Sequence, residues 1–160
     1  DDAGCIKRAE SVKIPYKIIR GKDFAQKELF ELEIVNTLVN YDVELVVMAG
    51  WMKIVTPFFI NKFKNKIINI HPSLLPAYKG ASAIKDSILN GSKITGCSVH
   101  FVEEEVDSGS LIMQAALPIF DEDNTETLSK KIQILEHKIL PLSISQAGYL
   151  IRVDLRKVIS

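Results

Sequence analysis

The chain has 160 residues, 47% hydrophobic and 25% charged, and its 20 Lys+Arg balance 20 Asp+Glu to a formal net charge of zero. This length suits one domain with one core, and the apolar content excludes disorder as the main state. Zero net charge offers no broad basic surface for nucleic acid, and the two distant cysteines, Cys5 and Cys97, argue against a disulfide framework, structural zinc or an iron–sulfur centre. No stretch approaches the roughly 20 apolar residues that span a bilayer. The start, Asp1-Asp2-Ala3-Gly4, is neither a signal peptide nor an initiator methionine. The expectation is a cytoplasmic protein, with no membrane partner, whose sequence begins mid-chain.

In chain order, Ile14 to Ile19 is short and β-rich and is punctuated by Gly21 and Asp23, which predicts a strand leading into a helix. Phe24, Leu32, Val35 and Val39 fall near helical spacing, predicting an amphipathic helix over 24–40 that lies on a sheet. Leu45 to Ala49 is continuously apolar up to Gly50, the pattern of a parallel strand buried on both faces. Pro57 opens a short helix to Lys64, and Lys66 to Ile70 is a second buried strand. A helix is expected from Ala81 to Leu89, closed by Asn90-Gly91. Thr95–Val102 and Leu111–Pro118 read as a hairpin-like or crossing pair of strands joined by a turn-rich acidic loop. Asp123, with Glu126 three residues on, predicts a capping box for a last helix with Leu128, Ile132, Leu135 and Ile139 as its apolar stripe and Pro141 as a kink or restart. This βαβ rhythm predicts an α/β, Rossmann-like layered fold with a mostly parallel central sheet flanked by helices, as one domain over 1–160.

The most informative stretch is Asn69-Ile70-His71-Pro72-Ser73-Leu74-Leu75-Pro76. Side chains alternate along a strand, so Asn69 and His71 project to one side at a strand's carboxyl end, where ligands bind in open α/β sheets. An amide and an imidazole side by side can donate to one developing oxyanion, and losing such a donor costs about 2.7–4 kcal/mol of barrier. Alone, Asn-x-His is a weak motif, compatible with a strand-end histidine and a turn-forming asparagine. Downstream, Asp107 sits in a tight turn before Ser108-Gly109, where a carboxylate can fix a histidine's tautomer, while Glu103, Glu104 and Glu105 read as a solvated edge. His100 is a candidate structural hydrogen-bond partner for Asp107. No Gly-x-Ser-x-Gly elbow surrounds any serine, which disfavours acyl-enzyme chemistry.

Taken in order, Asn69 to Pro76, Ser98-Val99-His100-Phe101-Val102 and Val106-Asp107-Ser108-Gly109 resemble the phosphoribosylglycinamide formyltransferases of purine synthesis. Val47 to Ile54 resembles that family's strand and folate-pocket loop, and Gln133 to His137 its later helix. The resemblance implies a formyltransferase fold and transfer of a formyl group from 10-formyltetrahydrofolate to glycinamide ribonucleotide, without a metal. It implies a catalytic group of Asn69, His71 and Asp107, with His100 structural beside it. It places Met52, Lys53, Ile54 and Val55, with Glu104, Glu105 and Val106, at the folate pocket, Lys27 near the donor or phosphate, and Glu136 near the ribose. The apolar Met52 and Ile54 are also compatible with plain core packing. Two departures stand out. The family's opening strand and phosphate loop have no counterpart before Asp1, which predicts a domain incomplete at its amino terminus, and its usual Leu-His after the glycine matched by Gly80 is replaced by Ala81-Ser82. Alternatives are a formyltetrahydrofolate deformylase, whose motif more often carries a second histidine where Pro72 stands, and a folate-binding remnant without turnover.

Overall fold

The computed structural model describes residues 4–159, with side chains described for residues 4–152, so the initial Asp1-Asp2-Ala3 lies outside the described residues. The chain divides into two compact units, Asp1–Tyr41 and Asp42–Ser160.

In the first unit, helix α1 spans Gly4–Ser11 and helix α2 spans Lys27–Asn40. The β-rich run 14–19 forms no strand and joins no ladder. Instead Lys17 Nζ donates to Glu33 Oε1 at 2.5 Å and to Thr37 Oγ1 at 3.0 Å, tying the run to α2. The strand expected over 14–19 is therefore absent: β-rich residues make a strand only where a neighbour takes their backbone hydrogen bonds. The buried face of α2 carries Phe30, Glu31 and Val35, whereas the expected Leu32 and Val39 are exposed. Phe24 meets Phe30 edge-to-face, with centroids 5.8 Å apart.

The second unit is built on a four-stranded sheet in the order β1 (Val46–Met48), β2 (Ile67–His71), β3 (Ile94–Phe101), β4 (Leu111–Pro118). Helix α3 (Pro57–Lys62) lies between β1 and β2, α4 (Ala83–Leu89) between β2 and β3, and α5 (Thr125–Ile159) follows β4. The helix-flanked α/β class holds. The sheet itself is mixed: β1 and β2 are parallel, but β2–β3 and β3–β4 are antiparallel. Residues 102–110 between β3 and β4 are fewer than a parallel crossover needs, so a hairpin is what that spacing permits. As an edge strand β1 buries Met48 but only partly covers Val46 and Val47, so its continuous apolar run overstated its burial.

Local chemistry fixes the helix ends. The Thr56 side chain accepts from the Phe59 amide at 3.4 Å and Pro57 takes the first turn, where a missing N–H costs nothing. The cap of α5 is Asn124 rather than Asp123: Asn124 Oδ1 accepts from the Glu126 and Thr127 amides at 2.9 and 3.0 Å. Asp123 is drawn away to Lys131, which donates to both its oxygens at 2.7 and 2.8 Å. Helix α5 runs through Pro141 unbroken. Pro141 lies on an exposed stretch, where solvent can satisfy the carbonyl that loses its donor.

The two sheet faces differ. Ile68, Ile70, Cys97 and Val99 cluster with Leu128, Ile132, Ile139 and Ala147 of α5. Each fully buried branched side chain there contributes about 1.5–3 kcal/mol. Burial pushes the Cys97 thiol up to about 12, with the Glu136 charge adding to it, so this cysteine is an inert core residue. Among the described residues no helix is long and apolar enough to cross a membrane.

Candidate active site

The other sheet face is polar. Cross-strand register pairs Asn69 with His100 and His71 with Ser98, and Ser98 with Gln114, and directly opposed residues project to the same side. The strand alternation that separates Asn69 and His71 from Ile68 and Ile70 therefore assembles polar groups in two adjacent rows. Pro72 ends β2 directly after His71, and the chain folds back over this face.

Asp107 completes the group from the loop after β3. Its backbone lies in the left-handed region at φ +51°, a conformation that aspartate tolerates better than most residues. Gly109 beside it sits so close to the Phe101 carbonyl that a Cβ would lie 1.9 Å from that oxygen. Asp107 Oδ2 accepts from the Gly80 amide at 2.8 Å and stands 3.4 Å from His71 Nδ1, while Oδ1 stands 3.5 Å from His100 Nε2. Lys79 and Glu105, paired at 3.0 Å, tie the same two loops together further out.

The hydrogen-bond partners assign the tautomers. His71 Nε2 faces the Tyr78 carbonyl at 2.8 Å, and a carbonyl only accepts, so Nε2 carries hydrogen. His100 Nδ1 donates to the Phe101 carbonyl at 2.7 Å, which leaves Nε2 to accept from Asn69 Nδ2 at 3.4 Å. That contact turns the Asn69 amide so that its second N–H remains for a ligand oxygen. His71 reaches the same oxygen through Nε2 only by exchanging the Tyr78 carbonyl for it. Asn69 is thus the ready donor, and His71, backed by Asp107, is the exchangeable one.

Burial holds the His100 imidazole below the usual histidine range, although the Phe101 carbonyl and the Asp107 charge pull it up. The unfolded chain therefore binds a proton that the folded chain resists, so stability falls as pH drops through about 6.5, where a free histidine titrates, toward the lower folded value. Melting temperatures between pH 8 and 5 are expected to decline below that point. His100→Gln, which cannot titrate, should flatten the decline; an unaltered slope would show that other groups cause it.

A cleft of about 640 Å³ opens over these residues. Its wall includes Asn69, His71, His100 and Asp107, the run Met52-Lys53-Ile54-Val55, Glu104 and Val106 of the acidic loop, and Glu136 of α5. Met52 and Ile54 are 76% and 64% exposed, so neither is core packing. Glu105 does not line the cleft and is held by Lys79. Lys27 belongs to the first unit, where its Nζ lies 4.0 Å from Glu31 Oε1. Burial raises the Glu136 carboxyl above the ordinary carboxylate range. Sequence reasoning named Gly80 only as a motif position and assigned no role to its amide, which holds Asp107, or to the Tyr78 carbonyl, since backbone groups carry no side-chain signature. Gly80 at φ +86° had one available signal, a glycine where the backbone turns left-handed. Among the described residues no cluster of His, Cys, Asp or Glu has the makings of a metal site.

Residues 1–144 match the sequence profile of the formyl transferase family. The chain is 44% identical over 146 residues to the trifunctional purine biosynthetic protein adenosine-3 of Chironomus tentans, covering 90% of this chain and 11% of that protein. It is 41% identical over 143 residues to the phosphoribosylglycinamide formyltransferase of Haemophilus influenzae, covering 89% of this chain and 68% of that one. The crystal structure of phosphoribosylglycinamide formyltransferase from Bacillus halodurans superposes with a TM-score of 0.85 at 37% identity, covering 94% of this chain and 76% of that chain. The chain thus spans only about a tenth of its trifunctional relative.

Proposed function

The chain belongs to the formyl transferase family, and from that premise we propose that it transfers a formyl group from 10-formyltetrahydrofolate to the amino group of glycinamide ribonucleotide. The observation that carries this reading is the convergence of Asn69, His71 and Asp107 on one cleft with an amide donor left open. Ser73 offers no nucleophile, because its hydroxyl is buried and bonded to the Ala77 carbonyl at 2.5 Å. The chemistry that fits is direct attack.

The acceptor amine attacks the formyl carbon and the carbonyl π pair moves onto oxygen. The Asn69 N–H receives that charge, and His71 adds its Nε2–H as the Tyr78 carbonyl gives way. The bond from the formyl carbon to the folate nitrogen then breaks, its electron pair returning to that nitrogen, which gains a proton as the amine loses one. His71 carries the proton that leaves the amine until the folate nitrogen takes it, and Asp107 supports the positive charge that results. Exposed Met52 and Ile54 offer an apolar wall to a flat heteroaromatic donor, with Lys53, Val55, Glu104 and Val106 around it. Glu136 is assigned to the ribose hydroxyls.

Formyl transfer is tested by incubating the protein, at its full native length, with both substrates and following release of tetrahydrofolate and formylated product. Donor consumption without a formylated acceptor would replace transfer by hydrolysis, and donor binding without consumption would reduce the protein to a folate binder.

Glu136 gives this assignment a separate check. A carboxyl raised by burial costs the folded state stability once pH climbs past the ordinary carboxylate range and through the raised value. Glu136→Gln is therefore expected to raise the melting temperature at neutral pH. It should also raise KM for the acceptor ten- to a hundredfold, the loss of a charged hydrogen bond of about 1.5–3 kcal/mol. A lower melting temperature, or an unchanged KM, would withdraw the role.

A further inference from the structure

We infer that Gln114, through Ser98, is a positioning residue for His71. The loop after β2 must hold the Tyr78 carbonyl against His71 Nε2 and the Gly80 amide against Asp107, yet it has no regular secondary structure. Its anchor is a side-chain hub. Fully buried Ser98 donates to the Ser73 carbonyl at 2.6 Å and accepts from the Leu75 amide at 3.0 Å. Gln114 Nε2 reaches across from β4 to the Ser98 hydroxyl at 2.8 Å and to the Leu75 carbonyl at 3.0 Å. Both loop contacts fall within four residues of His71. The Ser73 hydroxyl then passes the constraint to Ala77, next to Tyr78.

The sheet explains the reach: His71, Ser98 and Gln114 occupy one row across β2, β3 and β4. Gln114 does not line the cleft, so its influence on the reaction passes through the loop. It uses both N–H groups of one amide on two acceptors, a geometry that only a donor in this place satisfies. Without that donor the hub loses its outer clamp, the Tyr78 carbonyl drifts, and His71 loses its single tautomer.

Two replacements keep the length of the side chain and remove its donor, Gln114→Glu and Gln114→Met. Gln114 is exposed on an edge strand, so both proteins retain the sheet. The kinetic arm rests on the transfer reading: kcat should fall about tenfold with KM for both substrates within twofold, the pattern of a misplaced catalytic group. The second arm is independent of turnover. Imidazole 15N spectra of the unmodified protein should show neutral His71 as the Nε2–H tautomer, and both variants should show a mixture. A parent without transfer activity sinks the functional reading and leaves the spectra to decide this one. Variants with an unmoved His71 spectrum overturn the inference, whether or not kcat or the melting temperature changes.

Discussion

Asp107→Asn is expected to lower kcat for formyl transfer by about 10²–10³-fold, in the range of losing a preorganised electrostatic element of an active site. The substitution isolates charge from shape. Asparagine tolerates the left-handed backbone that Asp107 adopts at φ +51°, and its amide oxygen can still accept from the Gly80 amide. The loop therefore keeps its path. What is lost is the negative charge 3.4 Å from His71 Nδ1. With Nε2 already donating to Tyr78, a second proton on Nδ1 makes His71 a cation, and only an anion beside it supports that form. An asparagine that turns its NH2 toward Nδ1 instead holds the neutral ring. Single-turnover formyl transfer, with both substrates saturating, is the measurement. A rate within threefold of the parent, with an unchanged circular dichroism spectrum, would remove Asp107 from the chemistry.

Much of this site was legible because strand alternation is a strict rule. Once Asn69 to His71 is read as a strand end, the two polar side chains must share a face, and the structure pairs them with His100 and Ser98 on that face. The boundaries of β4 at Leu111 and Pro118 followed from turn residues on both sides. Asp107 was legible as a turn residue, and its left-handed backbone is the physical content of that turn. Other features had no local cause to read. The run 14–19 has the residues of a strand, but whether a neighbour exists to pair with it is a property of the whole chain. The direction of β3 against β2 depends on how the connection through α4 returns, and apolar runs are silent on direction. Gln114 carries no motif that singles it out within the run 111–118. Its role appears only when register places it beside Ser98 and the loop carbonyl of Leu75.

Gly109→Ala tests how firmly the fold holds the Asp107 carboxylate. The added methyl would sit 1.9 Å from the Phe101 carbonyl oxygen and 2.7 Å from its carbon, and these are backbone atoms at the end of β3 that no rotamer change can clear. Gly109 is buried, so the strain has no exit to solvent. Either the 102–110 loop lifts away or β3 shifts, and the Phe101 amide that bonds the Ser110 carbonyl at 2.9 Å is caught between the two. Overpacking of this kind costs about 1–3 kcal/mol and occasionally more, and a clash with backbone rather than a side chain places this site at the upper end. Denaturant unfolding should record a loss of about 3 kcal/mol. Because Asp107 lies two residues away on the displaced loop, transfer should fall by at least the factor expected for Asp107→Asn, even at temperatures where the protein is fully folded. Stability and activity separate the possible relaxations. If the loop gives, activity is lost with a modest drop in stability, and His100 keeps its bond to the Phe101 carbonyl. If the strand gives, the His100 ring is displaced as well, and the decline in stability below pH 6.5 weakens with it. A Gly109→Ala protein with parental stability and parental turnover would mean that the Asp107 turn is not held by this close approach, and that the Gly80 amide alone sets the carboxylate.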